Sequence, residues 1–262
     1  MSTTLDFDAT AAAQVDAAYS TPDVAATRIA VFRAANPKLG ESVLDIGCGP
    51  GYLLRECALA VGGKGRVLGV DISEPMLAMT QQRCAGIVHV ATEKADAGKI
   101  PSADGTFDLA CALQIYAYVK ELDEALAELC RALKPGGRAV ILDTDFDGVV
   151  WQTTNRDRMQ KILTAYEKHV AWPDLPRILP SRLRGAGFQL ERCEIVPMLT
   201  LNYHANTYVH GLALFIHRFV TQQAGIAVDK ADAWMAEFDD LERAGAFLFA
   251  MNRFLFVARK PN

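Results

Sequence analysis

The stretch from Ser42 to Leu59 constrains this chain more than any other. An apolar run, Ser42-Val43-Leu44, leads into Asp45-Ile46-Gly47-Cys48-Gly49-Pro50-Gly51, and Tyr52-Leu53-Leu54-Arg55-Glu56-Cys57-Ala58-Leu59 follows with helical spacing. That order reads as a strand, a glycine turn and a helix. Glycines at alternate positions let a backbone bend sharply and approach a ligand where a larger side chain would stand in the way. The turn is expected to carry a cofactor.

The spacing narrows which cofactor. A dinucleotide fingerprint needs its third glycine three positions after the second, and Tyr52 stands there instead. Asp45, just ahead of the first glycine, would repel a pyrophosphate and attract an ammonium group. A zwitterionic ligand is favoured and a nicotinamide oxidoreductase is not. At these residues the chain resembles the class I S-adenosylmethionine-dependent methyltransferases, whose first motif reads much like Val43 to Gly51.

The family pattern continues in order. Arg66-Val67-Leu68-Gly69-Val70-Asp71 reads as a second buried strand ending in an acid, where nucleotide folds place a ribose ligand, so Asp71 is expected to hold the ribose hydroxyls. Ser73-Glu74-Pro75-Met76 opens a helix, with Ser73 as N-cap and Pro75 in its first turn. After a third strand near residues 87–92, Ala95-Asp96-Ala97 resembles the family's acidic motif, in which the carboxylate accepts from the adenine amino group. Residues 106–113 resemble the fourth strand, and residues 129–141 resemble a helix stopped at Lys134-Pro135-Gly136-Gly137 and the fifth strand. The resemblance implies S-adenosyl-L-methionine as cofactor, held by Asp45, Gly47, Cys48, Gly49, Gly51, Asp71, Ile72, Met76, Asp96, Ala97 and Leu113. Its wording is most similar to the ubiquinone and menaquinone biosynthesis methyltransferases and their small-molecule relatives.

The implied fold is α/β, a Rossmann-like doubly wound, mostly parallel seven-stranded sheet with a C-terminal antiparallel hairpin and a helical lid. Residues 1–40 form an N-terminal helical cover, with Ser20 and Asp23 in capping-box spacing around Pro22. Residues 41–146 form the cofactor-binding core. Residues 147–262 complete the same domain, including a helical insertion over 202–245 and the last strand.

Composition bounds the partners. Hydrophobic residues make up 51% of the 262 and charged ones 22%, which suits a packed globular chain. A formal net charge of −4 disfavours a polyanionic partner, so no nucleic acid is expected. The six cysteines are scattered without a Cys-x-x-Cys pair, which fits reduced thiols and a cytoplasmic setting, and no apolar run is long enough to span a membrane. Arsenite methylation, which uses clustered cysteines in this family, is less favoured. Asp143-Thr144-Asp145-Phe146-Asp147-Gly148 copies half of a calcium loop, but Thr154 occupies the position of the bidentate glutamate, and no metal is expected.

A small-molecule acceptor is expected beyond the carboxyl ends of the fourth and fifth strands. Candidates to bind it are Tyr19, by analogy with small-molecule methyltransferases, and Gln114, Tyr118, Trp151 and Tyr208. Candidates for catalysis are Tyr118, Asp145 and His210, with His217 on the same helical face as His210. Leu212, Phe215, Ile216 and Phe219 form a stripe that a lid over the acceptor, or a homodimer contact, would bury. The expected activity is methyl transfer to oxygen, carbon or nitrogen of a small molecule; the alternative is a non-catalytic S-adenosylmethionine-binding subunit or sensor.

Overall fold

The computed structural model describes residues 15–262. The first 14 residues of the expected cover lie outside the described residues. A helical turn over residues 15–19 precedes α1 (Pro22–Ala35). Strands and helices then alternate: β1 (Ser42–Ile46), α2 (Tyr52–Val61), β2 (Arg66–Asp71), α3 (Glu74–Arg83), β3 (Val90–Lys94), β4 (Phe107–Leu113), α4 (Leu122–Ala132) and β5 (Leu133–Thr144). The second half runs β6 (Val150–Trp151), α5 (Arg156–Tyr166), α6 (Leu175–Gly185), β7 (Gln189–Thr200), α7 (Tyr208–Gln222), α8 (Val228–Arg243) and β8 (Phe249–Arg259).

The sheet order is β3-β2-β1-β4-β5-β8, with the pairs from β3 to β5 parallel. β8 runs antiparallel to β5 on one side and to β7 on the other, and β6 continues the line of β5 against Phe249 and Ala250. β6 makes an eighth strand. The expected antiparallel hairpin is the β7–β8 pair, with the inserted helices α7 and α8 in its connection and β8 lying between β5 and β7.

All five residues of β1 are buried, because helices cover both faces of a parallel sheet. On one face, Leu122, Ala125, Leu126 and Leu129 of α4 recur at helical spacing and pack with Leu175, Leu179 and Leu183 of α6. On the other, Val31 and Ala35 of α1 meet Leu54, Cys57, Ala58 and Val61 of α2. Each such leucine or valine contributes about 1.5–3 kcal/mol on burial.

Several boundaries differ from expectation for identifiable reasons. Thr21 takes the N-cap position of α1 but its hydroxyl donates back to Ala18 O at 2.7 Å rather than capping the helix, while Ser20 turns back to Ala17 and the Asp23 carboxylate accepts from the Tyr208 backbone N–H at 2.9 Å. Asp23 thus serves α7 rather than its own helix. α4 ends at Ala132, ahead of Lys-Pro-Gly-Gly, and Leu133 already pairs with Phe107 of β4. Ser73 does cap α3, accepting from the Met76 N–H at 3.4 Å.

The insertion builds a third apolar cluster. Leu212, Ile216 and Phe219 of α7 pack with Trp234 and Phe238 of α8, Met159 and Ile162 of α5, and Phe249 and Met251 of β8. The apolar stripe is therefore covered within the chain, which removes the argument for a dimer contact there. Glu237, 6% exposed, ties α8 to the turn ahead of α5 through Thr153, Thr154 and Arg158.

Candidate active site

The glycine turn closes over the carboxyl end of β1. Cys48 N–H reaches Val70 O at 3.0 Å, and Gly51 N–H reaches Cys48 O at 2.9 Å. Behind the turn, Thr80 of α3 donates to Gly49 O at 2.6 Å and Arg83 donates to Pro50 O at 3.0 Å. The glycines are required for two separate reasons. Gly47, at φ +63°, has no room for a side chain, because a Cβ there would stand 2.0 Å from Ile115 Cδ1. A Cβ on Gly49 would meet nothing closer than 4.0 Å, and one of those atoms is Tyr19 Cε2. Gly49 is thus the open point of the turn, with Tyr19 alongside.

Asp71, at the end of β2, accepts from Gly49 N–H and from Ser73 N–H, both at 2.9 Å. Burial raises its carboxyl, and those backbone donors pull it back. Asp45 is 3% exposed, and burial first and the Asp71 charge second push it up to about 8. The N-cap of α2 is Gly51, which has no side chain to bond the first N–H groups of the helix. Met76 and Ala97 are buried beside α3 and the turn after β3, Ile72 is 42% exposed, and Leu113 is partly buried at the end of β4. Asp96 is exposed, and one of its oxygens accepts from Gly98 N–H at 2.8 Å.

Beyond β4 and β5 a second group gathers. Gln114 adopts φ +58°, a rare conformation for a non-glycine residue, and its Oε1 accepts from Thr144 Oγ1 at 2.9 Å. Burial first, then the nearby Tyr208, Asp71 and Asp143, push the Tyr19 hydroxyl up to about 12, against the opposing pull of the Arg253 charge. Tyr118 is raised well above its ordinary value by burial and by Tyr19, Tyr208 and Asp143. Tyr19, Tyr118 and Tyr208 thus lie close enough for their charges to act on one another.

Other candidates lie elsewhere. Trp151 is 8% exposed and packs between Trp234, Phe238 and Phe249, a core residue of the insertion. Asp145 is clamped by Arg177 at 3.0 and 3.1 Å, since β5 ends at Thr144 and its side chain leaves the strand line. His210 rests on the Tyr203 ring at 5.2 Å, and His217 Nε2 meets Asp232 at 2.7 Å across α7 and α8. Each of the four meets these partners rather than the three tyrosines.

Arg253 and His169 escaped the sequence reading, which gave Asp143 no role beyond a calcium-like run. Asp143, fully buried, accepts from Tyr116 N–H at 3.2 Å and so shapes the turn that presents Tyr118; burial lifts it to about 7 despite that bond. Arg253 of β8 is 2% exposed. His169 is 2% exposed, donates from Nδ1 to Tyr166 O at 2.6 Å and stacks on the Tyr166 ring at 3.8 Å. Its Nε2 has no hydrogen-bond partner among the described residues, and burial lowers the imidazole to about 4, leaving it neutral 5.8 Å from the Tyr118 ring. Among the described residues no three His, Cys, Asp or Glu groups gather to hold a metal ion, and no helix is long and apolar enough to cross a membrane.

A glycine turn with an acid on each of two neighbouring parallel strands defines a nucleotide-type cofactor site of the methyltransferase kind. A methyltransferase-domain family model matches residues 43–137. The chain is 36% identical over 177 residues to demethylmenaquinone methyltransferase of Clavibacter sepedonicus, covering 62% of this chain and 71% of that one. It is 32% identical over 178 residues to 2-phytyl-1,4-naphtoquinone methyltransferase of Thermosynechococcus vestitus, covering 61% and 76%. It belongs to the class I S-adenosylmethionine-dependent methyltransferase family, in the group that contains these quinone methyltransferases. Across other curated relatives it spans less of their length, from 39% to 51%. Haemonchus contortus phosphoethanolamine N-methyltransferase 2, solved with S-adenosyl-L-methionine, shares the fold at TM-score 0.64 and 21% identity, over 99% of this chain and 59% of that one.

Proposed function

We propose that this chain transfers the methyl group of S-adenosyl-L-methionine to a small-molecule acceptor bound between Tyr19, Tyr118 and Tyr208. The observation that carries this reading is the pair of acids facing one open glycine turn. The residues fit the cofactor. An ammonium beside Asp45 would offset the burial and repulsion that now disfavour its charge, Asp71 retains lone pairs for ribose hydroxyls, and Asp96 has one oxygen left for an adenine amino group.

The sulfonium supplies an electrophilic methyl group when bound. The chain's contribution is then positioning of the acceptor and exclusion of water rather than activation. Gln114, held strained at the end of β4, and Tyr118, held by the turn on Asp143, fix one wall. α7 brings Tyr208 over the other and is anchored by Asp23 of α1, so that cover and insertion close together as a lid. Aromatic walls favour a flat, unsaturated acceptor, and the names of the quinone relatives support a phenol or quinol. Carbon and oxygen acceptor atoms both suit that chemistry. Free thiols at Cys48, Cys57, Cys84, Cys111, Cys130 and Cys193 support a reducing, cytoplasmic setting, and the net charge supports a small molecule rather than nucleic acid.

The test is a melting scan with S-adenosylhomocysteine and NADH, followed by a mass-shift screen of quinols, phenols and amines. Stabilisation by the former alone and a single added methyl on a quinol or phenol are expected. Stabilisation without any methylated product would favour a sensor, and stabilisation by NADH would overturn the reading.

A further inference from the structure

Strand β8 alternates buried and accessible positions from Phe249 to Phe254, and Arg253 falls in line with Phe249, Met251 and Leu255 on the buried side. A guanidinium at such a position stays charged, because its proton is held too strongly to be shed on burial. Its partners are few. Nη1 donates to Thr27 Oγ1 of α1 at 3.3 Å, the guanidinium carbon lies 4.7 Å from the centre of the Tyr208 ring, and Nε has no hydrogen-bond partner among the described residues. Among the described residues no carboxylate stands within ion-pair distance of it, although its charge is felt at Asp143, Tyr19 and Tyr118.

The place matters as much as the charge. Arg253 pairs with Thr144, the last residue of β5, at the carboxyl end of the sheet. Thr144 also bonds Gln114, so the guanidinium sits beside the group of tyrosines where the acceptor is expected. A buried cation without a matched anion is costly, and a ligand oxygen bearing negative charge would relieve that cost with charge-assisted bonds from a planar, preformed fork.

We propose that Arg253 is a receptor for an anionic oxygen, phenolate or carboxylate, on the methyl acceptor. The inference rests on the methyltransferase reading for the identity of the ligand. It makes the site select ionised over neutral aromatic acceptors. For a phenolic acceptor it also holds the ring in its ionised, electron-rich form.

The experiment uses the full chain saturated with S-adenosylhomocysteine and two coloured probes, 4-nitrophenolate and its uncharged counterpart 4-nitroanisole, with binding read by difference absorbance. Wild-type protein is expected to bind the anion at least about tenfold more tightly than the neutral probe. R253M should abolish that preference and R253K should restore part of it, both with S-adenosylhomocysteine affinity within about twofold of wild type. If R253M does not fold, the R253K result decides: a fall in preference for the anion supports the proposal and an unchanged preference overturns it. No preference in the wild type also overturns it. Loss of S-adenosylhomocysteine affinity in the variants, with 5′-methylthioadenosine unaffected, would assign the arginine to the donor's carboxylate and refute an acceptor role. Failure of wild-type protein to bind S-adenosylhomocysteine at all would instead refute the methyltransferase reading, and the probes, measured again without it, still report on the arginine.

Discussion

Replacing Asp45 by Asn tests the electrostatics of the cofactor site, because the substitution keeps shape and removes only the capacity to ionise. In the free protein the carboxyl is held up to about 8 by burial and by Asp71, so at pH 6 it is protonated. Binding a ligand ammonium there requires ionisation, which two pH units below that value costs about 2.7 kcal/mol. A hydrogen bond between charged groups returns about 1.5–3 kcal/mol. The two cancel at pH 6, and wild type and Asp45→Asn should bind S-adenosylhomocysteine about equally. At pH 8.5 the ionisation cost nearly vanishes and the wild type should bind about 10- to 100-fold more tightly. Calorimetry across this range measures the ratio, and 5′-methylthioadenosine, which lacks the amino acid, should show no pH dependence. An affinity ratio that stays constant from pH 6 to 8.5 would refute the placement of the ammonium at Asp45.

Further expectations concern both binding and stability. Asp71→Ala should weaken S-adenosylhomocysteine by about 1.5–3 kcal/mol, measured by calorimetry on variant protein whose melting confirms folding. Glu237→Ala should destabilise the chain by about 3 kcal/mol in denaturant titration, because Arg158 is left without its counter-charge. Burial alone would raise Glu237, but its bonds to Thr154, Arg158 and Thr153 hold it below the ordinary value of 4.5. Its stabilisation is therefore complete above 4.5 and is lost as pH falls through the lower folded value. His169 behaves in the same sense over another window: its folded value of about 4 lies below the unfolded 6.5, so stability should fall from pH 6.5 toward 4, and His169→Phe should flatten that limb of the profile.

The parallel half of the fold was legible in the sequence because each strand and turn there carries its own local signal. Gly47 is dictated by its positive φ and by the bulk of Ile115, Ser73 by the cap of α3, and Asp71 by the end of a buried strand. The second half was harder because its roles depend on partners distant in sequence. Asp145 read as a catalytic candidate, yet Arg177 clamps it, and Trp151 read as a pocket wall, yet α8 covers it. Arg253 did leave a trace, a lone cation in the run Phe249-Ala250-Met251-Asn252-Arg253-Phe254-Leu255, at the parity of its buried neighbours. His169 left none, since a 3₁₀ turn after α5 places it and the aromatic residues around it come from four segments.

A crystal structure with S-adenosyl-L-methionine bound tests the central claim most directly. The account predicts the ribose on Asp71, the amino group on Asp45, the chain of the ligand over Gly49, and the methyl group directed at the space between Tyr19, Tyr118 and Tyr208. A ligand held elsewhere, or a methyl group turned away from those tyrosines toward β3, would contradict it.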